Sequence, residues 1–223
     1  MKKPSPTPAP KNHHQGIAQS LELVFLEMAQ GIENKGYAMQ QGLWSNNLLQ
    51  DFYRDSQYFF KHGYLKQAAI GKGVEKKKER GIRGDKIFWL EPSQLSPALA
   101  QYWHTVDALR EFLSNYFRIR LPWHECHLAV YPPGSFYQRH LDQFRETANR
   151  SFSFILYLNP QWQVGDGGQL RLYLPEGTIE ITPALGNFIC FRSDLVEHEV
   201  RPTTAPRYSI TGWMRRDEVP LPL

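Results

Sequence analysis

Two imidazoles and one carboxylate stand at a spacing that can hold a metal ion. His140-Leu141-Asp142 places a histidine and an aspartate two positions apart, His198 follows far downstream, and Arg207 comes nine residues after that. Side chains at i and i+2 of an extended chain project from the same face, so His140 and Asp142 can reach one ion. A third ligand must come from a distant strand brought alongside, and His198 opens one. Two histidines and a carboxylate hold a single Fe(II) on one face and leave the other face open to a cosubstrate and O2. His-x-Asp alone is a weak signal, and the arginine strengthens it. Arg207 lies in PRYSITGW (206–213), where Arg207, Ser209, Thr211 and Trp213 share one strand face. A guanidinium aimed into a barrel is costly unless an anion meets it. A dicarboxylate cosubstrate would supply that anion, and Tyr157 in FILYLN could add a hydrogen bond, although core packing explains a tyrosine there equally well. His62, His104, His124 and His127 are read as ordinary core or surface imidazoles, and His13-His14 as a solvated pair.

These residues need strands to carry them, and strands crowd the second half of the chain. After Pro122, short β-like segments punctuated by Gly, Pro or Asn fall at 125–131, 135–141, 151–158, 169–174, 178–182, 187–191, 198–202 and 207–214. Such regular spacing indicates a sandwich or jelly roll. Upstream, Ile17, Leu21, Val24, Phe25, Met28 and Ile32 repeat at helical spacing, and Gly36 can close that helix. Tyr37 to Leu43 reads as a short strand. A second helix starts after Ser45 as its N-cap and carries Leu49, Phe52, Phe59 and Phe60 before Gly63. A third runs from about Ser96 to Arg118, with Leu99, Trp103, Val106, Leu109, Leu113 and Tyr116 on one face. The expectation is an α+β fold: a double-stranded β-helix (jelly roll) buttressed by N-terminal helices. Residues 1–15, rich in Pro, Ser and Lys, are expected to be a disordered tail. Residues 16–223 would form one domain, with a helical buttress over about 16–120 and a jelly-roll core over about 121–216.

Composition sets limits on this reading. The 223 residues, 41% hydrophobic and 22% charged, suit a soluble globular protein with one sizeable core. The formal charge is +4 and the pI about 9.0. However, Lys2, Lys3 and Lys11 lie in the tail, and Lys76, Lys77, Lys78 and Arg80 in a loop, so a solvated basic segment is favoured over a nucleic-acid footprint. Cys126 and Cys190 are expected to be buried and reduced. The start of the chain lacks the apolar stretch of a signal peptide, and no apolar run could span a membrane. A cytoplasmic location is expected.

Five segments resemble a known family: IRGDKIFWLE (82–91), YPPGSFYQRHLD (131–142), ILYLNPQW (155–162), GGQLRLYLPEG (167–177) and HEVRPTTAPRYSITGW (198–213). Together they are similar to the Fe(II)/2-oxoglutarate dioxygenases. Within these, they resemble the prolyl 4-hydroxylases related to the hypoxia-sensing prolyl hydroxylases of animals and their bacterial relatives. IRGDKI is the telling part, because the general metal motif does not require it. The resemblance covers roughly residues 80–216. It implies His140, Asp142 and His198 as iron ligands, with Arg207 and Tyr157 on the distal carboxylate of 2-oxoglutarate. It also implies Tyr131 and Tyr137 in the cosubstrate pocket, Thr211 close to the metal, and Arg83, Asp85 and Arg150 at the substrate entrance; for Arg83 and Asp85 a local ion pair is the bland alternative. The implied reaction hydroxylates a prolyl residue in a loop of a protein substrate, consuming O2 and 2-oxoglutarate and releasing succinate and CO2, with ascorbate as reductant. Three alternatives stay open. One is an oxygenase of the same superfamily acting on another residue type. A second is a nucleic-acid demethylase, although such enzymes carry a second arginine where this chain has Trp213. The third is a non-catalytic metal-binding jelly roll. Halogenation is disfavoured, because halogenases replace the carboxylate ligand with a small residue.

Overall fold

The computed structural model describes residues 13–68, 82–143 and 148–217. Most of the expected tail and the basic loop with Lys76, Lys77, Lys78 and Arg80 lie outside the described residues. Helix α1 (His13–Lys35) starts three residues ahead of the expected Gly16 and is closed by Gly36, whose φ is +79°. It leads into β1 (Tyr37–Gln40) and α2 (Asn46–Lys61). Ser45 caps α2 by accepting a hydrogen bond from the Leu48 amide, satisfying one of the donors that a helix start leaves free. Short strands β2 (Lys66–Gln67) and β3 (Lys86–Trp89) precede α3 (Pro97–Tyr116). Ser96 caps α3 in the same way, and Pro97 occupies its first turn, where no amide is needed. Strands β4 (Trp123–Tyr131), β5 (Tyr137–His140), β6 (Arg150–Tyr157), β7 (Leu170–Leu174), β8 (Gly177–Ile181), β9 (Phe188–Arg192), β10 (Glu197–Val200) and β11 (Arg207–Arg215) complete the chain.

Among the described residues the strands form two antiparallel sheets, one in the order β1-β9-β6-β11-β4-β3-β2 and the other β5-β10-β7-β8. The large sheet has a different apolar partner on each face, so its strands read as continuous hydrophobic runs. Leu128, Val130, Phe152, Phe154, Leu156, Cys190 and Ile210 face the helices, joining Phe25, Met28, Phe52, Leu99, Tyr102, Val106 and Leu109 in one core. Ala129, Ile155, Tyr157, Ile189 and Phe191 face the small sheet and pack with Leu170, Leu172, Ile181 and Val200. On α3 it is Tyr102, not the expected Trp103, that is fully buried; Trp103 lies over His124, with ring centroids 4.2 Å apart. Cys126 and Cys190 are buried and unpaired, on β4 and β9, with β11 and β6 between them.

Periodicity did not reveal β2 and β3, which are too short to show any. Their contribution is to join the two sheets. Segment 82–84 pairs with 136–138 beside β5, through Gly84 N to Phe136 O at 3.0 Å and Gln138 N to Ile82 O at 2.9 Å. The chain then enters the large sheet as β3, alongside β4. Gly84 permits this junction: a Cβ there would meet the Ser135 side chain at 2.8 Å.

Candidate metal centre and the cavity beside it

The pairing of β5 with β10 places His140 directly opposite His198. Asp142 lies beyond the end of β5, in a bend, so strand alternation does not aim it. Its neighbours do so instead. Ser153 Oγ on β6 donates to Asp142 Oδ2 at 2.7 Å and lies 2.8 Å from Ser193 Oγ, while Arg150 Nη1 meets the Asp142 carbonyl at 3.3 Å. One ligand atom from each of His140, Asp142 and His198 falls within 4.8 Å of the others. His140 Nδ1 lies 2.7 Å from the Gln138 carbonyl, and His198 Nδ1 lies 3.1 Å from the Val196 carbonyl. Each ring therefore donates through Nδ1 and keeps its Nε2 lone pair for a cation. Nε2 of His140 and of His198 stand 3.5 and 3.6 Å from the Asp142 carboxylate.

The protonation states suit a cation. Burial pushes the His198 pKa down to about 4, with His140 adding to the effect, so this imidazole is neutral at pH 7. Burial alone would raise the Asp142 carboxyl, but His198, His140 and Arg150 outweigh it and hold the group well below the usual carboxylate range. Two imidazoles and one carboxylate are the donor set that a divalent iron takes. Ser153 and Ser193 were not legible in sequence, where each is an ordinary small polar residue. Ser153→Ala is expected to leave the fold intact and weaken metal binding by roughly 10- to 100-fold, the usual cost of losing a group that orients a ligand. Titration of the purified variant with Fe(II) or Mn(II) measures this, and wild-type affinity would remove Ser153 from the site.

A cavity of about 790 Å³ runs between the sheets past these ligands. Cross-strand pairs order its wall: Arg207 opposite Tyr131, Thr211 opposite His127, and Trp213 opposite Glu125. Arg207 closes the buried end, only 1% exposed. Its Nε donates to the Gly168 carbonyl at 2.8 Å, and its guanidinium carbon lies 4.9 Å from both the Tyr131 and the Tyr157 ring centroids. Arg207 Nη2 and the Tyr157 hydroxyl are both buried without a hydrogen-bond partner. Burial pushes the Tyr157 hydroxyl up to about 12 while the Arg207 charge pulls the other way, so it remains a donor at neutral pH. Gly168 has φ +65°, and a Cβ there would come within 3.1 Å of Arg207 Cδ. Two unsatisfied donors side by side make a carboxylate receptor. Thr211 lines the wall between that receptor and the mouth, its Oγ1 3.4 Å from Ser209 Oγ.

Tyr137 stacks on His140 with centroids 3.7 Å apart, and Arg83 lies 4.4 Å from the same ring centroid. Arg83 also grips the buried Asp85 through two hydrogen bonds of 2.7 and 2.5 Å, so the local ion pair exists and lines the cavity. Arg150 covers the Trp213 ring at 3.6 Å and reaches Glu125 at 3.4 Å, and Glu125 also binds Arg215 at 2.6 Å. His127 departs from the ordinary reading made for it. It lies in the cavity wall, its ring 4.9 Å from Trp89 and 5.4 Å from Trp213, with Nδ1 buried and unpartnered. Burial pushes its pKa down to about 3. The unfolded chain binds a proton near pH 6.5 that the native state refuses, so stability falls as pH drops from 6.5 toward 3. His127→Gln is therefore expected to shrink the stability loss between pH 7 and pH 5 by about 2 kcal/mol, read from urea unfolding at both pH values. An undiminished loss would mean that His127 is protonated in the fold.

Comparisons with known proteins agree with this geometry. Residues 126–215 match the family described as the 2OG-Fe(II) oxygenase superfamily. The chain is 35% identical to Egl nine homolog 1 of Rattus norvegicus over 145 residues, which cover 60% of this chain and 42% of that protein. It thus spans about two fifths of the length of that relative. Among solved structures it is similar to a Pseudomonas putida prolyl-4-hydroxylase, with a TM-score of 0.79 and 35% identity, over 87% of this chain and 100% of that one. It is also similar to a Trichoplax adhaerens prolyl hydroxylase in complex with a peptide fragment of the hypoxia inducible factor oxygen degradation domain. There the TM-score is 0.82 and the identity 25%, over 92% and 94% of the two chains.

Proposed function

The chain belongs to the prolyl 4-hydroxylase family of the 2OG-Fe(II) oxygenase superfamily, and on that premise we propose that it is an Fe(II)- and 2-oxoglutarate-dependent dioxygenase that hydroxylates a prolyl residue in a protein substrate. The observation that carries this is the His140–Asp142–His198 triad opening onto the same cavity as Arg207, whose Nη2 is buried without a hydrogen-bond partner. His140, Asp142 and His198 would hold the iron, which when bound supplies the oxygen activation and C–H oxidation that no side chain can provide. Arg207 and the Tyr157 hydroxyl bind the distal carboxylate of 2-oxoglutarate, fixing which end of the cosubstrate faces the triad. Tyr131, Tyr137 and Thr211 shape the space between. Arg83, Asp85, Arg150 and Trp213 form the entrance that places the prolyl ring and keeps bulk water away.

The products are succinate, CO2 and a hydroxyprolyl residue, with ascorbate serving as reductant for inactive ferric enzyme. Among the described residues no helix is long and apolar enough to cross a membrane. The two unpaired buried cysteines fit a reducing, cytoplasmic location. Treating a host lysate with the enzyme, Fe(II), ascorbate and 2-oxoglutarate should yield a proline-containing peptide heavier by one oxygen, located by tandem mass spectrometry. Oxygen gained only on another residue type would overturn the prolyl assignment.

A further inference from the structure

The cavity mouth continues into a line of aromatic rings. Tyr58, Tyr64 and Trp89 are 52%, 49% and 42% exposed, unusually high for rings that size. Near the end of α2 the chain reverses at Gly63, with φ +74°, and brings Tyr64 back beside Tyr58 and His62. Tyr58 lies 4.2 Å from His62 and 6.3 Å from Tyr64, centroid to centroid, and Tyr64 in turn lies 6.4 Å from Phe88. Phe59 stacks under Phe88 at 4.5 Å and holds it in place. Tyr64, Phe88 and Trp89 line the cavity itself, so the track and the cavity are continuous. Lys66 lines the cavity and Lys86 Nζ lies 5.7 Å from the Phe60 ring centroid, and among the described residues neither forms an ion pair; of the nearby carboxylates, Asp85 is held by Arg83 and Asp55 by Ser96, leaving Glu91 in the cavity wall.

We infer that this track binds an acidic, proline-bearing stretch of the same protein substrate whose reacting residue enters the cavity, an inference that rests on the prolyl hydroxylase reading above. Rings fixed by their neighbours cost little entropy to bind. Exposed aromatic faces suit the extended polyproline conformation, whose prolines pack flat on them. Lys66 and Lys86 favour an acidic flank over a basic one. This chain's own residues 2–11 carry alternate prolines but three lysines, the wrong charge for this surface.

Fluorescence anisotropy with the full, iron-free chain tests the assignment using two labelled ten-residue peptides. One is the chain's own Lys-Lys-Pro-Ser-Pro-Thr-Pro-Ala-Pro-Lys, and the other has its three lysines replaced by glutamates. The acidic peptide is expected to bind roughly ten-fold tighter at low ionic strength, and Tyr58→Ala to weaken it about five-fold. Tyr58 lies at the surface, and an unchanged thermal midpoint confirms that the variant is folded. Failure of both peptides to bind, or equal binding of the two, overturns the inference, as does indifference to both Tyr58→Ala and Tyr64→Ala. Tighter binding of the lysine peptide overturns it in favour of the chain's own N-terminal segment as occupant. Turnover of 2-oxoglutarate on a five-residue proline peptide, too short to reach Tyr58, separately tests the enzyme reading, so the two failures are distinguishable.

Discussion

Asp142→Ala should cut prolyl hydroxylation by about 10³-fold or more and lower the stability of the metal-free protein at neutral pH while leaving it folded. The two halves of this expectation have one physical cause. Asp142 is the only anionic member of the triad, and it brings a full negative charge into a site where its carboxylate is 8% exposed. The imidazoles opposite it stand at 3.5 and 3.6 Å, and Ser153 donates to it at 2.7 Å. Without a cation, His198, His140 and Arg150 still favour the ionised carboxylate in the fold, a contribution that an alanine loses. With a cation, the same convergence is what holds the ion. Metal analysis after Fe(II) loading, and the absorption band expected when 2-oxoglutarate is added anaerobically, give the functional half; thermal melts without metal give the other. A variant that keeps stoichiometric iron would refute the ligand assignment. One that unfolds without metal would mean that Asp142 is a structural residue.

The residues that do chemistry were legible because their types are restrictive and their spacings local. His140 and Asp142 are two apart, and Arg207, Ser209, Thr211 and Trp213 alternate along a single strand, so a period of two placed the latter on one face without any knowledge of partners. Helix caps at Ser45 and Ser96 were equally local. What local reading could not supply was register. Ser153 supports Asp142 only because β6 lies beside β9 and brings Ser193 within 2.8 Å. His127 enters the cavity wall only because β4 pairs with β3 on one side and β11 on the other. The inference that His140 and Asp142 share a strand face reached the right pair by a route the fold does not use, since β5 ends at His140 and hydrogen bonds aim the aspartate. Strands β2 and β3 escaped for a related reason: they are held by their neighbours rather than by an alternation of their own.

Replacing Arg207 with methionine should raise the KM for 2-oxoglutarate roughly 100-fold or more, change kcat at saturating cosubstrate far less, and cost the cosubstrate-free fold almost nothing. Arg207 is 1% exposed, its ring neighbours are Tyr131 and Tyr157, and its Nε donates a hydrogen bond to the Gly168 carbonyl. No carboxylate among the described residues pairs with it. A buried cation so placed is stabilised only partly by ring faces and a single carbonyl, so a methionine of similar length should be neutral or stabilising for the fold. Truncating one member of a buried charge pair costs about 3–5 kcal/mol when its partner stays charged, which sets the scale of the lost cosubstrate affinity. Because the contact is to the end of the cosubstrate remote from the triad, its loss weakens ground state and transition state alike, which appears in KM rather than kcat. Arg207→Lys should fall between the two, keeping the charge but losing the planar fork. Linkage gives an independent readout: 2-oxoglutarate at 100 times its dissociation constant should stabilise the metal-loaded parent by about 2.7 kcal/mol, and the same concentration should stabilise Arg207→Met by about 0.4 kcal/mol or less. A methionine variant that retains both the KM and the cosubstrate-induced rise in melting temperature would show that the carboxylate binds elsewhere, and Arg207 would then be a buried cation that the fold tolerates without using.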